Sequence, residues 1–68
     1  MKTLKECRMI SGLTIPEIAV KIGVDKQKYI MFEEYKEEMS LIEGAAFARA
    51  TSVNIDNIYF FNPKLKLN

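Results

Sequence analysis

The chain has 68 residues and a formal net charge of +1, and its 49% hydrophobic and 28% charged residues are typical of one small globular domain. It has one cysteine and no histidine, which excludes an internal disulfide framework, disfavours a zinc site and removes the usual general bases, so we expect no metal, no cofactor and no enzymatic activity. No apolar stretch is long enough to span a bilayer, so we expect a cytoplasmic protein without membrane contact.

The first predicted helix is marked at both ends. Thr3 followed by Glu6 is a capping box, in which each side chain bonds to the backbone N–H of the other, and Gly12 supplies a stop. These signals predict a helix over about residues 4–11. Its inward positions are Leu4, Cys7 and Ile10. We expect Cys7 to be a small buried hydrophobe, because a reactive thiol needs exposure and a lowered pKa.

Two short helices joined by a tight turn follow. Thr14 with Glu17 is a second capping box, and Gly23 ends that helix. One face of this helix carries Ile15, Ile18, Ala19 and Ile22 at helical spacing. Asp25 can cap the next helix, predicted over about residues 26–35. The inward residues of that helix are Tyr29 and Phe32, and the outward ones are Lys26, Gln27, Lys28 and Met31.

Two more helices are predicted in the second half of the chain. Ser40 with Glu43 is a third capping box and opens a helix that ends near Thr51. Gly44 inside this helix would allow a neighbouring helix to approach closely. Asn54 can cap a short fifth helix that holds Ile55, Ile58 and Tyr59.

The spacing of these residues resembles the helix-turn-helix of the phage Cro/repressor-like (XRE-type) family. The residues that carry the likeness are Thr14, Glu17, Ala19, Gly23, Val24, Phe32 and Glu33. The likeness extends from Leu4 to about Tyr59, which is most of the chain. It implies an all-α fold, a five-helix lambda-repressor-like DNA-binding domain over residues 1–61. Residues 62–68 would form a C-terminal tail, in which residues 64–67 alternate with period two and suit an extended segment. The resemblance implies that such a tail can help dimerisation, and the alternative is a frayed terminus.

The resemblance implies a sequence-specific DNA-binding transcriptional regulator, a repressor, that binds double-stranded DNA as a homodimer on an inverted-repeat operator. The positions that would face DNA are Thr14, Lys26, Gln27, Lys28 and Met31. Either lysine can donate to guanine, Gln27 can pair with adenine, and Met31 can meet a thymine methyl group. Thr14 can place its hydroxyl or backbone N–H on a phosphate. The apolar surface for dimerisation would be Phe60, Phe61, Leu65 and Leu67.

The resemblance also implies a structural ion pair between Arg8 on the first helix and Glu33 at the end of the third. An arginine–carboxylate pair can be bidentate, so it would fix the orientation of the two helices. The alternative is that Arg8 is a solvated surface charge.

An acidic stretch argues against tight DNA binding. It consists of Glu33, Glu34, Glu37 and Glu38. Affinity for DNA is dominated by phosphate neutralisation, which carboxylates near the backbone oppose. The alternative function is therefore a protein-interaction module with the same fold, such as an anti-repressor that binds a partner regulator through this stretch. Its contact surface would also include Met31, Tyr35 and Met39.

The helical periodicities predict a single apolar core for the domain. Its predicted members are Leu4, Leu13, Ile18, Ala19, Ile22, Val24, Phe32, Leu41, Ala45, Ala48, Val53 and Ile58.

Overall fold

Four α-helices make up most of the part of the chain that the computed structural model describes, residues 1–61. They are α1 (Leu4–Ile10), α2 (Ile15–Ile22), α3 (Lys26–Glu33) and α4 (Leu41–Thr51). A single turn of 3-10 helix, Ile55–Asn57, follows α4. Two short strands, β1 (Lys2–Thr3) and β2 (Ile58–Tyr59), pair in parallel. The molecule is mostly helical, as predicted, but it also has a two-stranded ribbon that the sequence does not predict.

The helices begin where the sequence predicts. Both hydrogen bonds of the capping box are present at Thr3 and Glu6, at Thr14 and Glu17, and at Ser40 and Glu43. The side chain of Asp25 caps α3 by accepting a hydrogen bond of 2.8 Å from the backbone N–H of Lys28. Each cap bonds N–H groups that no helix carbonyl can reach, so each start is fixed at one residue.

The prediction of a fifth α-helix is wrong for the described residues, which contain four. Asn54 does act as a cap, accepting a hydrogen bond of 2.9 Å from the backbone N–H of Asp56. The chain is extended again at Ile58, because β2 pairs with β1 and places Ile58 opposite Lys2. Too few residues remain between the cap and the strand to nucleate an α-helix, so only a 3-10 turn forms.

α3 ends at Glu33, before the end of its predicted range. The chain turns at Tyr35, whose φ of 58° lies in the left-handed region that disfavours residues with a side chain. The Tyr35 hydroxyl accepts a hydrogen bond of 3.2 Å from the N–H of Leu4 and donates one of 2.6 Å to the carbonyl of Tyr59. These two bonds to α1 and β2 offset the strain at Tyr35 and tie the turn to the ribbon.

The core lies between the four helices and includes most of the predicted members. The buried hydrophobic residues are Leu4, Cys7, Ile18, Ala19, Ile22, Tyr29, Phe32, Phe47 and Ile58. The predicted members that are partly buried against this cluster are Leu13, Val24, Ala48 and Val53. Ala45 is half-buried. Cys7 is buried, as predicted. The inward orientation predicted for Ile10 is wrong, because its side chain is exposed.

Leu41 contradicts the predicted core, because its side chain is 86% exposed. The buried face of α4 passes through Gly44, Phe47 and Thr51 instead. The ring of Phe60 covers the start of this face and comes to 3.2 Å from the position that a Cβ on Gly44 would occupy. A close approach at Gly44 is present, but it is made by the ring of Phe60 and not by a neighbouring helix, and this ring rather than Leu41 lies beside the glycine.

The predicted dimerisation surface falls partly outside the described residues. The tail over residues 62–68, with Leu65 and Leu67, is not among them. Phe60 is partly buried against the core, whereas Phe61 is 65% exposed. Of the two described members of this predicted surface, Phe60 therefore has an internal packing role and Phe61 is exposed.

Candidate nucleic-acid interface

The pair formed by α2 and α3 is joined by a three-residue turn. Gly23 has a φ of 79° and ends α2 in the left-handed conformation that glycine adopts without a steric penalty. The N–H of Val24 donates a hydrogen bond of 3.0 Å to the carbonyl of Ala19, and the Val24 side chain packs against the core. Asp25 then starts α3. The turn is fixed at both ends, so the direction of α3 relative to α2 is fixed as well.

The inner side of α3 is anchored by packing. Tyr29 and Phe32 have no exposed surface, and the ring of Tyr29 stacks on that of Phe47 in α4, with centroids 6.4 Å apart. Full burial of two aromatic side chains contributes several kcal/mol of hydrophobic stabilisation. This packing therefore holds α3 in place on the domain, and the side of α3 opposite Tyr29 and Phe32 faces solvent.

The end of α3 is anchored by a polar network around Glu33. The Nε of Arg8 lies 2.5 Å from one carboxylate oxygen of Glu33, and the Tyr29 hydroxyl donates a hydrogen bond of 2.7 Å to the same oxygen. Another nitrogen of Arg8, Nη1, donates a bond of 3.0 Å to the carbonyl of Leu13. The predicted ion pair of Arg8 with Glu33 is confirmed. It joins α1 to α3, and both side chains are mostly buried.

The outer side of α3 carries the residues predicted to face DNA. Lys26 and Gln27, in the first turn, are exposed, and Met31 one turn later is 39% exposed. Lys28 is half-buried. The predicted outward orientation is confirmed for Lys26, Gln27 and Met31, whereas Lys28 is only partly exposed. At the start of α3, the side chains of Lys26 and Gln27 are therefore both exposed to solvent.

Thr14 lies at the start of α2 and is exposed, but its polar groups are partly used. Its backbone N–H donates a hydrogen bond of 2.8 Å to the carboxylate of Glu17, and its hydroxyl oxygen accepts one from the N–H of Glu17. The backbone N–H is therefore occupied within the capping box. Thr14 can still donate a hydrogen bond to a phosphate through its hydroxyl group.

Lys28 is engaged by acidic residues of this chain. Its ammonium nitrogen lies 3.7 Å from a carboxylate oxygen of Glu37 and 3.4 Å from one of Glu43. The same nitrogen lies 5.8 Å from the centre of the Phe32 ring, within the range of a cation–π contact. Lys28 therefore differs from Lys26, because it already neutralises carboxylates beside α3. Its predicted contact with guanine stays a prediction, and it would require these ion pairs to open.

The acidic stretch does not form a single acidic surface. Glu33 is inside the network described above, Glu34 lies 3.4 Å from the ammonium of Lys36, and Glu37 faces Lys28. Glu38 is exposed. The aromatic and methionine residues predicted to complete a protein-contact surface also do not form one exposed surface. Tyr35 and Met39 pack against the core, which leaves Met31 as the exposed one.

The pKa shifts near the interface come from capping, pairing and burial. The hydrogen bond from the backbone N–H of Thr14 lowers the pKa of Glu17. The hydrogen bond to Glu33 raises the pKa of Arg8, and burial raises the pKa of Tyr29 well above its ordinary value. At neutral pH the phenol is therefore a neutral donor and the arginine a cation. Both protonation states favour the network that holds α3.

Two features of the site were not predicted. The Tyr29 hydroxyl bonds to Glu33, and the four-residue spacing of these two residues on one helix is a signal that could have revealed the contact. The pairing of Lys28 with Glu43 joins α3 to the first turn of α4. No local pattern indicates that second contact, because it depends on how the chain returns after α3.

Neither a metal site nor a membrane span is found in the part of the chain that the structure describes. Within residues 1–61, no cluster of three or more acidic or cysteine side chains is arranged to hold a metal ion. No helix there combines the length and the apolar character needed to cross a bilayer.

Comparisons with protein-family models, with curated proteins and with solved structures found no match for this chain. The likeness to the phage Cro/repressor-like family rests on the residues quoted above.

Proposed function

We propose that this protein is a sequence-specific DNA-binding regulator of transcription, a repressor that resembles small phage Cro proteins. In this proposal α2, the turn at residues 23–25 and α3 form the helix-turn-helix of a lambda-repressor-like domain. Helix-turn-helix motifs use a turn of three or four residues that often contains glycine, which fits the turn between α2 and α3.

The observation that carries the proposal is the division of α3 into two sides. Tyr29 and Phe32 lock one side into the core, while Lys26 and Gln27 are exposed in the first turn. A recognition helix in the major groove contacts base edges with its N-terminal residues, and it must be rigid to hold them in register.

Each exposed group has a role in this proposal. The Gln27 amide can donate to and accept from adenine, and Lys26 can donate to guanine or to a phosphate. Met31, one turn further, can contact a thymine methyl group, and the Thr14 hydroxyl can bond to a phosphate. Lys28 would contribute only when DNA competes successfully with Glu37 and Glu43.

The working unit in this proposal is a homodimer on an inverted repeat. α3 has only 8 residues, so one copy reads few base pairs. Two copies related by a two-fold axis would place their α3 helices about 34 Å apart, on successive turns of the major groove.

A second candidate function is a protein-interaction module, such as an anti-repressor that binds a partner regulator. It is favoured by the ion pairs of Lys28 with Glu37 and Glu43, which reduce the positive charge next to the proposed DNA-reading residues. Two further carboxylates of the same stretch, Glu34 and Glu38, are exposed. A basic surface on a partner regulator would complement them.

Selection of duplexes from a random DNA library tests the two functions against each other. The proposal predicts enrichment of an inverted repeat by the wild-type chain, and loss of enrichment for a Lys26→Ala, Gln27→Ala double variant. Substitution of the exposed Lys36 by alanine is the matched control and should keep the enrichment. Absence of any enriched sequence, together with capture of a partner regulator that Glu34→Gln and Glu38→Gln prevent, would favour the interaction module.

A further inference from the structure

Residues 55–61, which we call the strap, follow the last helix and return to the start of the chain. They contain the 3-10 turn and β2, and β2 pairs with β1 in parallel. Most of the strap is exposed, and its exposed members are Ile55, Asp56, Asn57, Tyr59 and Phe61. Segments with few buried contacts open locally at a lower free-energy cost than the helices of a core. The strap therefore has the features of a unit that opens on its own.

Two apolar side chains attach the strap to the helical core. Ile58 is 3% exposed and belongs to the core cluster. The ring of Phe60 lies 3.2 Å from the position that a Cβ on Gly44 of α4 would occupy. Only one residue separates Ile58 from Phe60, so both contacts are lost when this short stretch of backbone moves away.

A polar attachment comes from residues 34–37, which we call the α3 turn. The Tyr35 hydroxyl accepts a hydrogen bond of 3.2 Å from the N–H of Leu4 and donates one of 2.6 Å to the carbonyl of Tyr59 in the strap. The φ of Tyr35 is 58°, which costs free energy for a residue with a side chain. Strain of this kind persists only where surrounding contacts offset it. The shape of the α3 turn therefore depends on the bonds of one hydroxyl.

We propose that the Tyr35 hydroxyl is a latch, and that the strap and the α3 turn open together when it is released. When the strap leaves, the hydroxyl loses the carbonyl of Tyr59, which is one of the two bonds that offset the strain at Tyr35. When the hydroxyl is removed, the strap loses its bond to the α3 turn. Each segment therefore stabilises the other, and by thermodynamic linkage the coupling has the same size in both directions.

The latch connects the strap to the charge beside α3. Glu37, in the α3 turn, forms an ion pair with Lys28 on α3. Opening of the strap would therefore loosen the segment that holds this carboxylate. The inference does not depend on DNA binding, because local opening can be measured on the protein alone.

Hydrogen exchange of single backbone N–H groups, followed by nuclear magnetic resonance, tests the inference in the wild-type chain. The reporters in the strap are the N–H groups of Asn57 and Ile58, which bond to the carbonyls of Asn54 and Ile55. The reporter in the α3 turn is the N–H of Lys36, which bonds to the carbonyl of Met31 at 2.9 Å. All three should share one free energy of opening. After correction for intrinsic rates they should exchange at least about tenfold faster than the N–H groups of α2.

Tyr35→Phe tests the coupling from the α3 turn to the strap, since it removes the hydroxyl and keeps the ring. The N–H groups of Asn57 and Ile58 make no bond to Tyr35, so a faster exchange there reports opening rather than the direct loss of a partner. Loss of the hydroxyl bonds should speed this exchange at least about tenfold. Tyr59→Phe makes the same chemical change within the strap itself, outside the latch, and should leave the exchange unchanged.

Phe60→Ala tests the opposite direction, because it weakens the attachment of the strap to α4 without touching Tyr35. Exchange of the Lys36 N–H should become faster, although this residue lies in the α3 turn. Phe61→Ala is the matched control, since Phe61 is 65% exposed, and it should have no effect on Lys36. Circular dichroism checks that each variant keeps its helices.

Three results would each overturn the inference. The first is an equal free energy of opening for the strap and for α2 in the wild-type chain, a comparison that needs no variant. The second is equal exchange at Asn57 and Ile58 in Tyr35→Phe and Tyr59→Phe. The third is an unchanged exchange at Lys36 in Phe60→Ala, which would show that the α3 turn opens independently of the strap.

Discussion

Glu33 is the residue on which the orientation of α3 depends most directly. It lies mostly buried at the end of the helix and receives hydrogen bonds from Arg8 on α1 and from Tyr29 one turn earlier on α3. Charged pairs of this kind cost desolvation energy and give little net stability, but removal of one partner is strongly destabilising. The network therefore positions α3 more than it stabilises the fold.

Tyr29→Phe tests this network, since it removes the hydroxyl that donates to Glu33 and keeps the ring that stacks on Phe47. The loss of one hydrogen bond to a charged group should lower the free energy of unfolding by about 1–3 kcal/mol, measured by urea denaturation. Tyr59→Phe is the control, because the Tyr59 hydroxyl makes no hydrogen bond within residues 1–61, and it should change stability little. Equal stability of the two variants would show that the hydroxyl contact with Glu33 does not contribute.

Gln27→Ala tests base readout at the exposed start of α3. The loss of a bidentate contact with adenine should weaken binding to the preferred site by about 1–3 kcal/mol and relax the preference at one base position. Competition titrations with duplexes changed at single positions measure both effects. Asn57→Ala removes an exposed amide far along the chain and should alter neither. A uniform loss across all sequences would assign Gln27 to the phosphate backbone instead.

At the scale of elements, α3 and the segment that follows it have opposite charges. Lys28 on α3 is held between Glu37 in the loop and Glu43 in the first turn of α4. Ion pairs at partly exposed sites contribute at most about 1 kcal/mol to stability, so their larger effect here is on the charge that DNA would meet. The loop and α4 therefore limit the positive charge of the proposed recognition helix.

Replacement of single carboxylates by glutamine separates two effects on DNA affinity, the repulsion of phosphates by a carboxylate and the pairing of Lys28 with a carboxylate. Glu37→Gln removes a repulsive charge and releases Lys28, whereas Glu38→Gln removes a charge that has no cation within ion-pair distance in the described residues. Both variants should bind every DNA sequence more tightly, and Glu37→Gln should gain more. The gains should shrink as salt rises, because screening shortens the reach of exposed charges. Unchanged DNA affinity, with loss of a protein partner, would contradict the regulator proposal.

The sequence predicts the helices better than the segments between them, for a physical reason. Helix starts depend on residues three apart, such as Thr14 and Glu17, and these local bonds form as predicted. The parallel ribbon joins residues near opposite ends of the chain, and two-residue strands have no periodicity to recognise. The end of α3 at Glu33 depends on bonds from Tyr35 to distant residues, and the exposure of Leu41 depends on where Phe60 packs.

At the scale of the whole molecule, three of the four α-helices within residues 1–61 begin with a threonine or serine that shares hydrogen bonds with a glutamate. The backbone N–H of Thr3, Thr14 and Ser40 lowers the pKa of Glu6, Glu17 and Glu43, respectively, below the ordinary 4.5. A carboxyl group with a lowered folded-state pKa contributes stability that is full above its unfolded pKa and is lost as pH falls through the folded value.

Acid should therefore destabilise the protein below about pH 4.5, because the carboxylates of the three capping glutamates become protonated in that range. Thermal unfolding followed by circular dichroism should give a melting temperature that is steady from neutral pH down to that point and then falls. Glu17→Gln keeps a hydrogen-bond acceptor but cannot titrate, so its melting temperature should fall less steeply with acid. A melting temperature that stays constant down to about pH 3 would show that the caps do not contribute to pH-dependent stability.

The central claim is that the exposed start of α3 reads the sequence of double-stranded DNA. Fluorescence anisotropy titrations of the wild-type chain against a selected inverted repeat and a shuffled duplex, at about 50 mM and about 200 mM salt, test it most directly. We predict tighter binding to the inverted repeat at both salt concentrations, with both affinities falling as salt rises. Equal affinity for the two duplexes, or no binding to either at the lower salt concentration, would contradict the claim.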